Sequence, residues 1–219
     1  MKYAEFIDST MFSSLVYSPL LCKLLDDRHL FREEGGYLIF GWAMKGDSYI
    51  GEDEIHISYS TALPHSIEDN DKFDFCEYLI SVLKKHAECG LIDGDAWREG
   101  LRFYSYEDNQ NFSPDPLYEE ILAPAEIQEI INILEENNDA INNSVEEFVI
   151  LEYRFSGEYN DSQLEALAFV NGQYTRETFE DEEINDLMGT ESFNDEVLMD
   201  EYHINELRDV FFEKYIPVE

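Results

Sequence analysis

Positive charge is what this chain lacks. Its 219 residues hold 14 Lys plus Arg against 50 Asp plus Glu, a formal net charge of −36. So anionic a surface repels DNA, RNA and anionic membranes, which excludes direct nucleic-acid binding and membrane docking. Cysteine is also scarce. Cys22, Cys76 and Cys89 are odd in number and show no paired spacing, which excludes a disulfide framework and suits a reducing compartment. No apolar run approaches the roughly 18 to 20 residues of a membrane helix. The uncharged stretch Ser9 to Cys22 is no signal core, because Glu5 and Asp8 stand where a basic region belongs. These absences predict a soluble cytoplasmic protein, in the host cytoplasm if a phage encodes it.

Catalytic signatures are missing too. Nothing fits the phosphate-cradling glycine motifs, the nucleophile elbow, or Cys-x-x-Cys and His-x-x-x-His zinc pairs. His29, His56, His65, His86 and His203 are widely separated. Two Asp-x-Asp triplets, Asp69 to Asp71 and Asp93 to Asp95, are what chance gives in a chain this rich in aspartate, and neither extends to a calcium loop. Asp93, Asp95 and Glu99 are the best metal candidates and fall short of a ligand set. The expectation is a non-enzyme with no cofactor and no metal; a metal-dependent enzyme ranks third among the function classes.

What is present is ample material for a core. Hydrophobic residues make up 44% and aromatics 14%, too many for a disordered acidic tail. The acids are unevenly spread: residues 1–102 hold 19 acids and 10 bases, residues 103–219 hold 31 and 4. The change falls across a loop rich in Asn, Asp and Pro, Glu107 to Pro116, and suggests two lobes, 1–106 and 117–219.

In the first lobe the pattern predicts a helix over Tyr3 to Leu25, interrupted near Ser18-Pro19. A buried strand over Tyr37 to Met44 follows, with Glu54 to Thr61 as its partner and Lys45 to Asp53 as the loop between them. Cys76, Leu79, Ile80, Leu83 and Ala87 repeat at helical spacing within 71–88, ahead of Gly90, and Leu101 to Tyr106 returns to the sheet. In the second lobe a helix begins at Pro124, with Ile127, Ile130, Ile131, Leu134 and Ile141 on one stripe. Glu147 to Phe155 reads as a strand. Leu164 to Val170 and Gln173 to Phe179 flank Asn171-Gly172, a pair that favours a type I′ hairpin. Short helices over Glu180 to Met188 and Asp195 to Tyr202 precede a final helix with Ile204, Leu207 and Phe211 inward. The fold class is α+β, with helices packed on small antiparallel sheets.

Acid density singles out one stretch. From Glu177 to Glu219 there are 15 acids against Arg208 and Lys214. Glu180, Asp181, Glu182, Glu183, Asp186, Glu191, Asp195, Glu196, Asp200 and Glu201 form the candidate partner-binding set. Carboxylates at i and i+4 on a helix leave Cβ atoms ~5–6 Å apart, within reach of Lys or Arg side chains built to grip successive phosphates. The charge of −36 matches about 60 Å of duplex DNA, while a globule of this length is only about 45 Å across.

These features favour a basic, nucleic-acid-binding protein as partner. The leading expectation is an acidic inhibitor that mimics nucleic acid and blocks the cationic cleft of a defence nuclease. In charge and size the chain resembles anti-restriction and anti-CRISPR proteins of phages and mobile elements, a likeness of composition that covers no motif. The runner-up is a cytoplasmic immunity protein that neutralises a basic nuclease toxin. It would add an aromatic anchor drawn from Tyr104, Tyr106, Tyr118 and Tyr174. A solvated acidic face and halophilic adaptation are the plain alternatives.

Overall fold

The computed structural model describes residues 5–30, 38–49, 63, 72–89, 102–105, 118–121, 123–156, 161–189 and 201–216. The strands are β1 (Glu5–Tyr17), β2 (Leu38–Tyr49), β3 (Arg102–Ser105), β4 (Tyr118–Ile121), β5 (Glu147–Ser156), β6 (Asp161–Val170) and β7 (Gln173–Glu180). The helices are α1 (Pro19–Asp27), α2 (Phe75–Cys89), α3 (Pro124–Ser144), α4 (Asp181–Met188) and α5 (Glu201–Tyr215). The strands form one seven-stranded sheet in the order β4-β3-β2-β1-β5-β6-β7, with every described neighbour pair antiparallel. The fold is α+β.

Helices cover both faces of this sheet. Phe12, Val16, Leu38, Phe40, Phe148, Ile150 and Leu167 point to one side and pack with buried residues of α1, α2 and α3. Leu15, Ile39, Val149, Leu151, Tyr153 and Leu164 point to the other and pack with Ile184 of α4 and Leu207, Phe211 and Phe212 of α5. Strands buried on both faces lose the in–out alternation of an exposed sheet. That is why the expected helix over Tyr3 to Leu25 is wrong. Its first part is the central strand β1, in which Leu15 and Val16 are both fully buried on opposite faces.

Ser18 and Pro19 do mark a helix start. Ser18 is the N-cap of α1, its Oγ accepting from the Leu21 amide at 3.2 Å, and Pro19 fills the first turn, where a missing amide costs nothing. The Ser18 hydroxyl also meets that of Ser144, 2.7 Å away at the end of α3, so the β1–α1 corner is tied to a helix of the second half.

The change of charge at Glu107 to Pro116 does not divide the sheet. β1 pairs with β5 from Asp8↔Ser156 to Tyr17↔Glu147, and α3 packs on both α1 and α2. The described strands make a single antiparallel sheet. β2 continues to Tyr49, beyond the expected Met44, and pairs with β1 and β3; the segment Glu54 to Thr61 lies outside the described residues, apart from nearby Leu63. β4 was not legible in the sequence. α2, α3, the β5-β6-β7 meander and α4 fall where the periodicity predicts. Asn171 and Gly172 both have positive φ, 53° and 75°, as a type I′ turn requires. Gly189, at φ 65°, ends α4 in the left-handed conformation. Leu207 and Phe211 of α5 are buried as expected, whereas the side chain of Ile204 and most of Asp195 to Tyr202 lie outside the described residues.

Ser14 is fully buried in β1, and its Oγ has no hydrogen-bond partner among the described residues. A desolvated, unpaired hydroxyl costs about 1–3 kcal/mol. Replacing Ser14→Ala should therefore stabilise the protein by about 1 kcal/mol, seen as a higher urea midpoint at unchanged slope. A lower midpoint would mean that the hydroxyl has a partner after all.

Candidate protein-binding surface

The carboxylates at the start of α4 divide into two groups by their partners. Glu180, the last residue of β7, is the N-cap; its Oε1 accepts from Gln163 Nε2 at 3.0 Å, and its amide donates to Glu183 Oε2 at 3.2 Å. Asp181 accepts at Oδ1 from the Ser162 amide at 2.8 Å and from the Ser162 hydroxyl, which pins α4 to β6. These three acids stabilise the positive end of the helix. Glu182 and Asp186 are exposed, one turn apart, and make no ion pair among the described residues. Of the expected set they are exposed carboxylates with no role in capping α4. Glu191, Asp195, Glu196 and Asp200 lie outside the described residues, as does the side chain of Glu201. So do Asp93, Asp95 and Glu99.

Sequence reasoning missed a second acidic row on α3, where Glu135, Glu136 and Asp139 are exposed. α3 and α4 sit on opposite faces of the sheet, so exposed acids occupy both helical layers.

Most of the cations whose side chains are described are paired within the chain. Arg28 pairs with Glu129 at 3.3 Å, Lys84 with Glu135 at 2.8 Å, Arg154 with Glu152 at 3.0 Å and Arg176 with Glu165 at 3.2 Å. Arg208 pairs with Asp209 at 3.0 Å, and Lys214 with Glu177. Lys214 also lies 4.9 Å from the Phe179 ring centre and 4.6 Å from that of Tyr215. The Tyr215 hydroxyl donates to Glu177 Oε2 at 2.7 Å. Hydrogen bonds from Lys214, ahead of that from Tyr215, hold the Glu177 carboxyl below its usual range, and burial pushes the Tyr215 phenol up.

Two buried acids are shifted the opposite way. Burial raises Glu152, beneath α2, despite the hydrogen bond from Tyr78 and the nearby Arg154. Burial, outweighing Arg208, raises Asp209 to about 6.

Between α2, α3 and β5–β7 lies a cleft of about 400 Å³. Its aromatic part is a chain of rings: Phe73 and Phe148 at 5.3 Å, Phe148 and Phe169 at 5.9 Å, Phe169 and Tyr174 at 4.7 Å. Its polar part centres on Asp74, which precedes α2. Asp74 Oδ1 accepts from the Glu77 amide at 2.8 Å, Asn142 Nδ2 at 2.8 Å and Asn138 Nδ2 at 3.3 Å. Asn142 Oδ1 in turn accepts from the Cys76 amide at 3.1 Å. α3 breaks helical geometry at Asn137, whose side chain donates to the Ile133 carbonyl, just before these two asparagines. At the rim, Lys72 Nζ donates to Asn143 Oδ1 at 3.0 Å, and the Phe73 amide donates to the Tyr174 hydroxyl at 3.2 Å.

Asn138 and Asn142, four residues apart on one helix, were the readable signal for this cleft. Tyr174, one of the tyrosines proposed as an anchor, is 37% exposed; the side chains of Tyr104, Tyr106 and Tyr118 lie outside the described residues. Cys22 and Cys76 are buried thiols, and burial pushes the Cys76 thiol up to about 12, away from the thiolate form.

Among the described residues no three His, Cys, Asp or Glu side chains gather as a metal-binding set, and no helix is long and apolar enough to cross a membrane. Comparison with protein-family models, curated proteins and solved structures finds no match to this chain.

The titrations fix a sign for stability. Asp209 and Glu152 have folded-state pKa values above their unfolded ones, so their contribution rises as pH falls through the folded values. For Glu177, held low, stability is lost only as pH falls below the ordinary range near 4.5. Lowering pH also relieves self-repulsion among unpaired acids. The melting temperature should therefore rise from pH 8 to about pH 5.5, and rise with added salt at pH 8. A melting temperature that falls along either axis would contradict this electrostatic balance.

Proposed function

We propose that this protein is an acidic inhibitor that occupies the cationic cleft of a nucleic-acid-binding protein, of the kind found in defence nucleases. The observation that carries the reading is the imbalance at the surface. The described cations are mostly paired with acids of the same chain, while Glu182 and Asp186 on α4 and Glu136 and Asp139 on α3 face solvent without an ion-pair partner among the described residues. A groove lined with Lys and Arg gains from such a surface what it gains from phosphates: attraction at long range and release of counterions on contact.

A second reading, an immunity protein that neutralises a basic nuclease toxin, is favoured by the aromatic cleft and the exposed Tyr174. Interfaces of that class depend on a few aromatic anchors surrounded by charge.

Competition separates the two. A cationic partner captured on the immobilised protein at low salt should be displaced by duplex DNA if the protein occupies the nucleic-acid cleft. Glu182→Lys combined with Asp186→Lys should weaken capture at least tenfold, a loss of about 1.4 kcal/mol, without lowering the melting temperature. A ternary complex with DNA would favour the immunity reading. Capture indifferent to both DNA and charge reversal would remove the proposal.

A further inference from the structure

We propose that the cleft between α2, α3 and β7 is an anchor pocket for an arginine side chain of a basic protein partner. The inference rests on the reading above for the partner's charge and adds where and how one side chain is gripped. At the end of a chain of packed rings, the exposed Tyr174 offers an aromatic surface to a planar cation. A guanidinium within ~6 Å of a ring centre is attracted by its quadrupole and stacks flat against it, which an ammonium cannot do.

The polar side of the cleft is rich in acceptors. Asp74 and Asp139 both line it. Asp74 Oδ1 is saturated by three donors, while its Oδ2 has no hydrogen-bond partner among the described residues. Asp139 is exposed on α3 and makes no ion pair among the described residues. Fork-shaped donors match a carboxylate in two-point contact, so this pairing of ring and acid suits Arg better than Lys. Two other ligand classes fit less well. A nucleobase would stack on the same rings, but its phosphates meet a chain of net charge −36. A small anion would find one cation among the lining residues, Lys72, whose Nζ donates to Asn143 Oδ1, against the two carboxylates Asp74 and Asp139.

The volume leaves room for one side chain. About 400 Å³ is at the small end of ligand pockets and accommodates a guanidinium with its methylene stem. The asparagine network fixes the rim in advance, since Asn138 and Asn142 are held to Asp74 and to each other, at 3.0 Å, before any ligand arrives. Less ordering is then required on binding.

The test titrates hexa-arginine and hexa-lysine peptides into the full chain, following affinity by calorimetry and the Tyr174 ring by NMR, its signals assigned from their loss in Tyr174→Phe. Hexa-arginine should bind about fivefold or more tighter than hexa-lysine and shift the Tyr174 ring resonances. Tyr174→Ala and, separately, Asp139→Asn should each abolish that preference. Asp139 is exposed and surface-borne, so its variant remains informative should Tyr174→Ala fail to fold. Equal affinity for the two peptides with an unmoved Tyr174 resonance overturns the pocket. If Glu182→Lys with Asp186→Lys still weakened both peptides in that case, the acidic-surface reading would stand without it. Absence of binding by either peptide at low salt overturns both.

Discussion

Burying one sheet between two layers of helices leaves charge only one place to go. The interior on both sides of β1 and β5 is occupied mainly by apolar side chains; the buried carboxylate Glu152 is held by Tyr78 and Arg154, and the partly buried Asp209 by Arg208. An unpaired carboxylate cannot be kept ionised in such a core, so those without a cation are carried on the outer faces of the helices. With so few cations in the sequence, the architecture itself makes the exterior anionic. Fold and charge are therefore one problem rather than two.

Internal ion pairs sharpen this contrast. Lys214 is shared among Glu177, Phe179 and Tyr215, where it helps to hold the end of α5 against β7. Arg176 and Glu165 form a half-buried pair on neighbouring strands. Pairs of this kind contribute little to stability when exposed and gain weight as water is excluded. Their larger consequence is compositional, because each one uses a cation on an acid of the same chain. Acids that cap α4 show a parallel economy: Asp181 and Glu183 serve the helix, and Glu182 and Asp186 are left outward.

Much of the fold was legible because its signals were local. Asn171-Gly172 specified a hairpin, Pro124 and the isoleucine stripe specified α3, and the acids after Phe179 specified the start of α4. Failures came where meaning depends on distant partners. In β1, Leu15 and Val16 each find a helical layer, which removes the alternation that identifies a strand. The drop in cations at mid-chain suggested two lobes; charge lies on surfaces and says nothing of pairing, and β1 of the first half pairs with β5 of the second. The candidate acids of α4 were visible as a cluster, but which of them were consumed by Ser162 and Gln163 was not. The cleft was hidden for the same reason. Its parts come from three separate stretches, near Asp74, Asn142 and Tyr174, that only the assembled sheet brings together.

The account stands or falls on whether a partner experiences this exterior as it experiences nucleic acid. The decisive quantity is the slope of log affinity against log salt for the purified partner, measured side by side with its slope for duplex DNA. Both should be steep and of similar size, reflecting counterions released from the same cationic groove. A complex whose affinity is flat across salt, beside a steep slope for DNA, would contradict the account.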